Sequence, residues 1–228
     1  MTYIMSDIHG MYDKYMKMLE LIELSDDDDL YILGDVVDRG EGSAGILLDM
    51  MNRPNVYPII GNHEVMAIEV LDVLLSGEKE DQPASFDKMM DNWIRNGGMP
   101  TMTSISKLSY DRRRDAFDYL SEFTNYEKVC VDDKLYIMVH SGFDNFRPDR
   151  RLSDYSVDEL IFHSTDPEFR YFDDENIFVI SGHIPTININ GNPEIIHNNG
   201  NILIDCGACF ENGRLACLCL DTMEEFYT

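Results

Sequence analysis

Basic residues are scarce in this chain of 228 residues. Only 18 lysines and arginines stand against 43 aspartates and glutamates, which gives a formal net charge of −25. Binding to nucleic acid without regard to sequence needs basic surface that meets the phosphates, so we exclude a nucleic-acid partner. An anionic substrate would instead have to be attracted by local positive charge, such as metal ions or a few arginines.

Long apolar runs are also absent. No stretch approaches the roughly 18 consecutive apolar residues that a membrane-spanning helix needs. The first ten residues, MTYIMSDIHG, lack the basic and apolar regions of a secretory leader. We therefore expect no membrane partner and a cytoplasmic location. With 44% hydrophobic residues the chain is long enough to form one domain over residues 1–228, and no feature sets an oligomeric state.

Cysteines are few and odd in number. There are five, and four of them crowd the C-terminal region at Cys206, Cys209, Cys217 and Cys219. A zinc site is one interpretation of this group. Against it, Cys217 and Cys219 lie in LACLCL, where the two-residue alternation predicts a strand with both thiols on one face. We interpret the four as small buried apolar residues of a reduced protein.

The first third of the chain alternates strand and helix patterns. The apolar spacing predicts strands at 2–5, 30–33 and 56–60 and helices at 12–24, 43–51 and 64–75. An order of strand, helix, strand, helix predicts a parallel sheet with helices on its faces.

The rest of the chain follows a different pattern. Residues 81–124 are mostly helical in pattern, with a glycine pair at 97–98 and an amphipathic stretch at 111–123. Short strands are then predicted at 127–131, 135–139, 177–180, 194–197, 202–204 and 214–220. Turn signals between some of them predict hairpins and a partly antiparallel second sheet. The charged and aromatic segment 144–174 is predicted to be a long loop.

Polar residues follow five of the apolar strand-like runs. TYIM runs into SDIHG, LYIL into GDVVDRG, VYPII into GNHE, LYIMV into HSG, and IFVI into SGH. Ligands of open α/β sheets bind at the carboxyl ends of the strands, so these side chains are expected to meet. One such cluster alone is more typical of a turn, but five together indicate a functional site.

The chemistry of these residues favours metal ions. Carboxylates, imidazoles and one amide without a thiolate form a mixed nitrogen and oxygen set, which suits Mn, Fe or Zn rather than Ca. There are more ligands than one open catalytic ion needs, but enough for two ions that share a carboxylate. Two ions about 3.5–4 Å apart can bind a phosphoryl group and hold hydroxide between them. The sequence therefore predicts a two-metal site that can bind a phosphoryl group.

The same residues carry a resemblance to a known family. The motifs D-x-H-G, G-D-x-V-D-R-G and G-N-H-E and two later histidines resemble those of the calcineurin-like metallophosphoesterases. More narrowly, they are similar to the phosphoprotein phosphatase family of serine/threonine phosphatases, in its compact bacterial and phage form. Trp93 and the Asn96-Gly97-Gly98 run match the family's W-x-x-N-G-G, and residues 204–208 extend the resemblance over nearly the whole chain. It implies an α/β fold in which a β-sandwich of mixed sheets is flanked by helices.

The resemblance also implies a role for each motif residue. The implied metal ligands are Asp7 and His9 on one ion, Asp35 on both ions, and Asn62, His140 and His183 on the second ion. His63 would be the general acid and Asp38 would orient it. Arg39 would hold the phosphate oxygens, with Asn62 beside it. A bidentate arginine suits phosphate, and a carboxylate fixes the tautomer of a catalytic imidazole.

One motif departs from the family. Compact members carry W-N-R, whose arginine is expected to bind phosphate, where this chain has Leu-Ile-Phe-His-Ser at 160–164. Arg147, His163 and Arg170 remain open as its replacement, and Arg170 is the one that we assign to substrate binding.

Three functions are compatible with the fold that these motifs imply. The first is a serine/threonine protein phosphatase that acts on a phosphorylated protein or a small phosphomonoester. The second is a symmetrical dinucleoside tetraphosphatase. Those relatives resemble G-D-L-V-A-R-G and G-N-H-D, whereas this chain has Asp38 and Glu64 and a charge that repels polyphosphate. The third is a non-catalytic scaffold on the same fold, which would be expected to lack a ligand or the acid histidine. The first is preferred.

Overall fold

Two mixed sheets form the centre of the protein. The computed structural model describes residues 1–76 and 83–228, and these residues form two five-stranded sheets and eight α-helices. The helices are α1 (Tyr12–Leu21), α2 (Ser43–Met50), α3 (Asn62–Ser76), α4 (Phe86–Arg95), α5 (Met99–Ser106), α6 (Tyr110–Ser121), α7 (Val157–Ile161) and α8 (Thr186–Asn190). None of them is long and apolar enough to cross a membrane.

The first sheet contains the parallel strands predicted from the first third of the chain. Its strands are β1 (Thr2–Met5), β2 (Asp29–Ile32), β3 (Val56–Pro58), β9 (Ala216–Cys219) and β10 (Glu225–Tyr227), in the spatial order β10-β9-β1-β2-β3. β1, β2 and β3 are parallel, while β9 runs antiparallel to β1 and β10. All four residues of β1 are buried, as expected for a strand that is covered on both faces.

The second sheet is partly antiparallel, as predicted. Its strands are β4 (Tyr126–Val131), β5 (Lys134–Val139), β6 (Ile177–Ser181), β7 (Ile196–Asn198) and β8 (Asn201–Leu203), in the spatial order β4-β5-β6-β8-β7. β4 and β5 form a hairpin whose turn residues, Asp132 and Asp133, both have positive φ, as a tight hairpin turn requires. β5, β6 and β8 are parallel.

The apolar core consists of three clusters of buried residues, and β1 contributes to two of them. Within β1, Tyr3 and Met5 belong to the cluster that faces helices α1, α2 and α3, whereas Ile4 faces the second sheet. Cys217 and Cys219 alternate in the same way, and both lie on the helix side. Because a strand alternates its side chains between faces, one short run serves two layers. The prediction of two thiols on one buried face is confirmed, and the five cysteines are free thiols.

Several sequence boundaries are corrected. α3 begins at Asn62, two residues before the predicted start, so the G-N-H-E motif lies in its first turn. The segment 144–174 is not wholly a loop, because it contains one 3₁₀ turn (Leu152–Asp154) and α7. β10 was not predicted. The helical region after 83 is confirmed as α4, α5 and α6, while its predicted start near residue 81 lies outside the described residues.

Candidate active site

The polar residues after the five strands meet in one buried cluster. Its backbone is unusual: among the described residues, twelve non-glycine residues have positive φ. Six of these are candidate site residues, namely Asp7, His9, Asp35, Asp38, Arg39 and His183. Left-handed backbone is costly for residues with a side chain and concentrates at functional sites. The chain therefore turns sharply after β1, β2 and β6 and aims the next side chains into the cluster.

Asp35 lies at the centre of this cluster. Its carboxylate is 3.6 Å from His9 Nε2, 3.4 Å from His140 Nε2 and 3.9 Å from His63 Nε2. Two groups of possible metal donors, each with its atoms within 4.8 Å of one another, share this residue: His9, Asp35 and His63, and Asp35, His140 and His183. Neither of these groups, which cover the described residues, includes a cysteine.

Two imidazoles are oriented by main-chain carbonyls. The Nδ1 atom of His9 is 3.0 Å from the carbonyl oxygen of Val37, and the Nδ1 atom of His140 is 2.7 Å from that of Leu33. A carbonyl oxygen can only accept, so each Nδ1 donates a proton to it, and this contact turns Nε2 towards Asp35. Burial lowers the pKa of His9 to about 3. The neutral form of the ring is the form that binds a metal ion.

His183 completes the second group from β6. Its Nδ1 atom is 3.2 Å from His140 Nε2. The His140 Nε2 atom is also 3.0 Å from Asn62 Oδ1. Burial and the neighbouring His140 lower the pKa of His183 to about 4, so this ring is neutral as well. Donor atoms from α3, β5 and β6 thus converge at one point.

Asp7 connects the end of β1 to the residues after β6 and lies close to other buried carboxylates. It accepts hydrogen bonds from the Ser6 hydroxyl and from the main-chain N–H of His183, the latter at 3.0 and 3.2 Å. Burial, Asp205 and Asp35 raise the pKa of Asp7 well above its ordinary value. A Cβ atom at Gly182 would overlap the Asp7 carboxylate, so only glycine fits there.

The donor set fits two transition-metal ions. Asp7, Asp35 and Asp205 are buried carboxylates, with relative exposures of 1%, 2% and 3%. Buried carboxylates are unstable without compensating cations. Divalent ions would neutralise them, and the neutral imidazoles and the amide would supply the nitrogen and oxygen ligands that Mn, Fe and Zn accept.

His63 has a different environment from the other imidazoles. Its Nδ1 atom lies 2.7 Å from Asp38 Oδ2, and both residues are almost fully buried. Burial alone would lower the pKa of His63, but the carboxylates of Asp35 and Asp38 outweigh it and the pKa is raised. Nε2 faces the exposed Arg39, whose Nη2 atom is 3.1 Å away. An imidazole that is held by a carboxylate and faces an exposed guanidinium suits proton delivery better than metal binding.

Glu64 is a residue of this site to which the sequence assigned no role. Its carboxylate is fully buried and accepts four main-chain hydrogen bonds. The donors are Asp35 N at 2.8 Å, Val36 N at 2.8 Å, Val37 N at 3.2 Å and Gly61 N at 2.9 Å. Glu64 therefore ties the loop after β2 to the turn before α3. A glutamate three residues after a glycine at a strand end was the only signal that could have revealed it.

The three candidates for a second phosphate contact are placed apart. Arg170 donates to the carbonyl oxygen of Asp174 at 3.1 Å and lies near Gly200, which precedes β8. These positions mark the amino ends of β6 and β8, whereas His183 follows the carboxyl end of β6, so this placement does not support the predicted phosphate contact of Arg170. Arg147 is exposed and pairs loosely with Asp149. Of the three, only His163 lies near the end of β5. Its main-chain N–H donates to Ser141 Oγ at 2.9 Å.

Comparisons with known proteins point to one family. A family model described as calcineurin-like phosphoesterase matches residues 2–214 of this chain. Curated relatives include the symmetrical bis(5'-nucleosyl)-tetraphosphatases of Salmonella typhimurium and Salmonella newport, each 31% identical over 115 residues. That alignment covers 47% of this chain and only 40% of each relative.

Solved structures share the fold over the full length of the chain. A putative diadenosine tetraphosphatase aligns with 100% of this chain and 92% of its own, with a TM-score of 0.68 and 16% identity. A protein serine/threonine phosphatase from Saccharomyces cerevisiae aligns with 100% of this chain and 79% of its own, with a TM-score of 0.62 and 13% identity. At such low identities these likenesses establish the fold alone, which is the expected two-sheet sandwich with flanking helices.

Proposed function

Because the chain belongs to the calcineurin-like phosphoesterase family, we propose that it is a dinuclear-metal phosphomonoesterase that hydrolyses phosphoserine and phosphothreonine esters. The observation that carries this proposal is the buried pair of His63 and Asp38 at the edge of the metal-donor cluster, with Nδ1 and Oδ2 2.7 Å apart. The pair supplies a proton beside a site that can bind phosphate.

The proposed metal ligands are those that the family resemblance implies, and the two donor groups around Asp35 support them. We assign Asp7 and His9 to one ion, Asp35 to both, and Asn62, His140 and His183 to the other. His63 is left out of the first set, although its Nε2 lies 3.9 Å from Asp35, because its Nδ1 is held by Asp38 and its Nε2 faces Arg39. When bound, two such ions activate water and neutralise phosphoryl charge.

Arg39 and His63 act on opposite parts of the ester. The exposed Arg39 guanidinium binds the non-bridging phosphate oxygens with two parallel N–H groups. Contact with phosphate draws Arg39 away from His63 Nε2, which frees this nitrogen to carry a proton. His63 then donates the proton to the departing serine or threonine oxygen, and Asp38 compensates the charge of the ring while it is protonated.

The leaving group favours a monoester over a dinucleoside tetraphosphate. A serine alkoxide is strongly basic and needs a proton to depart, whereas a nucleotide leaves through a weakly basic phosphate oxygen. A buried acid and carboxylate pair is therefore of most use with an alkyl ester. The net charge of −25 also opposes the approach of a tetraphosphate. The alternative of a symmetrical tetraphosphatase is favoured by the relatives that are 31% identical.

One experiment separates these functions. The purified protein is stripped with a chelator, reloaded with Mn²⁺ and assayed on phosphoserine and phosphothreonine peptides, on p-nitrophenyl phosphate and on diadenosine tetraphosphate, with the metal content measured in parallel. We expect two metal ions per chain and the highest kcat/KM on the peptides. A higher kcat/KM on the tetraphosphate would support the alternative instead. No turnover of any substrate by the metal-loaded protein would indicate a non-catalytic scaffold.

A further inference from the structure

The only tryptophan of the chain contacts the carboxylate of the proposed acid pair. The indole Nε1 atom of Trp93 lies 2.9 Å from Asp38 Oδ2 and 3.0 Å from Asp38 Oδ1. Trp93 and Asp38 are both fully buried, with relative exposures of 0%. Trp93 lies on α4, outside both sheets. A helix that supplies no expected metal ligand therefore reaches into the centre of the site.

The turn after α4 is shaped around this indole. A Cβ atom at Gly98 would lie 2.5 Å from the Nε1 and Cδ1 atoms of Trp93, so any side chain there would displace the ring. The carbonyl oxygen of Gly97 accepts the N–H of Arg39 at 2.9 Å. Further along, Thr101 Oγ1 accepts the N–H of Asp38 at 2.7 Å. The segment from α4 to α5 thus holds the Asp38 main chain and side chain at the same time.

We propose that Trp93 is a positioning residue for proton transfer, because its N–H fixes the carboxylate of Asp38 in the orientation that holds His63 towards the leaving group. This inference rests on the role of His63 in the proposed function. A carboxylate that has a single partner can rotate about its last bond. The indole N–H bridges both oxygens of Asp38, which fixes the plane of the carboxylate and directs Oδ2 at His63 Nδ1.

The first test removes the N–H and keeps an aromatic ring. Trp93→Phe should lower kcat roughly tenfold on substrates with basic leaving groups, such as phosphoserine peptide and phenyl phosphate, which is the scale of one lost hydrogen bond to a charged group. On p-nitrophenyl phosphate, whose leaving group departs with little help, the change should stay within about twofold. KM and metal content should not change. Equal losses on all three substrates would overturn the proposal.

A matched control is available on α1. The hydroxyl of Tyr15 donates to Asp49 Oδ2 at 2.9 Å, and Tyr15 is fully buried. Tyr15→Phe therefore removes the same kind of bond, an aromatic donor to a carboxylate, away from the cluster. It should leave the ratio of phenyl phosphate to p-nitrophenyl phosphate turnover unchanged. A shift of that ratio as large as the one in Trp93→Phe would show that general loosening explains the effect, and would overturn the proposal.

A double-mutant cycle tests whether Trp93 acts through Asp38. If it does, Trp93→Phe should have no further effect on the ratio once Asp38→Asn is present, because coupled residues are not additive. Independent, multiplying effects would contradict the proposal. His63→Asn provides the separate check on the proposed function. If it lacks the dependence on the leaving group, the acid assignment itself fails; if it shows that dependence and Trp93→Phe does not, only the role of Trp93 fails.

A spectroscopic measurement needs neither activity nor a tryptophan variant. Since the chain has one tryptophan, the ¹H–¹⁵N spectrum of the metal-free protein contains one indole resonance. In the wild type this proton should appear downfield and exchange slowly, as expected for a buried N–H bound to a carboxylate. Asp38→Asn should move it upfield, whereas Tyr15→Phe should not. An indole resonance that is unchanged by Asp38→Asn would overturn the proposal.

Discussion

His9 and His63 lie side by side in the same buried cluster but differ in their chemistry. Their ring centroids are 4.8 Å apart, and both are almost fully buried. Burial lowers the pKa of His9 to about 3, whereas the carboxylates of Asp35 and Asp38 raise that of His63. The difference follows from the partner of Nδ1, which is the Val37 carbonyl for His9 and the Asp38 carboxylate for His63.

The two histidines mark two regions of the site. We call the metal half the set Asp7, His9, Asp35, Asn62, His140 and His183, and the proton half the set Asp38, Arg39, His63 and Trp93. The strands and the first turn of α3 supply the metal half. The proton half depends in addition on α4 and on the turn at Gly97 and Gly98. The comparison predicts that changes in the metal half alter metal content, whereas changes at Asp38, His63 and Trp93 alter the dependence on the leaving group.

The largest effect is expected in the metal half. Asp35→Asn should remove both ions and reduce turnover of every substrate to background, because Asp35 alone faces both donor groups. Loss of its charge weakens both sites and leaves two cations to repel each other. Metal analysis and a p-nitrophenyl phosphate assay check this. A variant that keeps two ions and near-normal turnover would show that Asp35 is not shared.

The second effect belongs to the proton half. His63→Asn should lower turnover of phosphoserine peptide by about 10²–10⁴-fold, the usual contribution of a general acid, with both ions retained. Turnover of p-nitrophenyl phosphate should fall much less, because nitrophenolate leaves with little assistance. Equal losses on both substrates with full metal occupancy would mean that His63 stabilises charge on the phosphoryl group. The division into a metal half and a proton half would then be wrong.

Much of the metal half could be predicted from the sequence. Each of its residues follows an apolar run that forms a strand, and parallel strands place their carboxyl ends together, so Asp7, Asp35 and His140 were expected to meet. The left-handed backbone at Asp7, Asp35 and His183 was not predictable, because this conformation is uncommon even for aspartate and histidine, which adopt it more often than most residues. Nor was the choice of a carbonyl or a carboxylate as the partner of each imidazole.

The links between distant segments were also beyond the sequence. The contact between Trp93 and Asp38 joins residues 55 positions apart, and no periodicity encodes it. The placement of Arg170 was not predictable for the same reason, since the path of the 144–174 segment depends on how its aromatic residues pack. In that segment Phe146 lies against Tyr171 with ring centroids 4.9 Å apart. Strand and helix patterns predict elements, but they do not predict where a long irregular segment returns.

A smaller effect in the proton half tests whether the carboxylate partner of His63 determines the behaviour of this ring. Asp38→Asn keeps the shape of the residue but removes its charge, so His63 should be misoriented rather than lost. The loss on phosphoserine peptide should be milder than that of His63→Asn, with the same preference for p-nitrophenyl phosphate.

The pH profile of the same variant gives a second readout. The acid works while His63 is protonated, so kcat/KM on the peptide should fall as pH rises through the pKa of His63. Because Asp38 contributes to raising that pKa, Asp38→Asn should move the descending limb to lower pH. An unchanged limb would show that Asp38 does not set the protonation of His63.

The smallest effect concerns an arginine that belongs to neither half. Arg170 lies at the amino ends of β6 and β8 and is exposed, and its Nη2 atom donates to the Asp174 carbonyl at 3.1 Å. Arg170→Ala should therefore change kcat/KM by less than about twofold and stability by no more than about 0.5 kcal/mol, as is usual for surface positions.

Arg39→Ala is the matched comparison, since Arg39 is also an exposed arginine but its Nη2 atom is 3.1 Å from His63 Nε2. It should raise KM and lower kcat on every phosphate ester, because the non-bridging oxygens lose their bidentate partner. If Arg170→Ala instead raised KM to the same extent, phosphate would have to reach the opposite end of the second sheet, and the cluster around Asp35 would not be the whole of the substrate site.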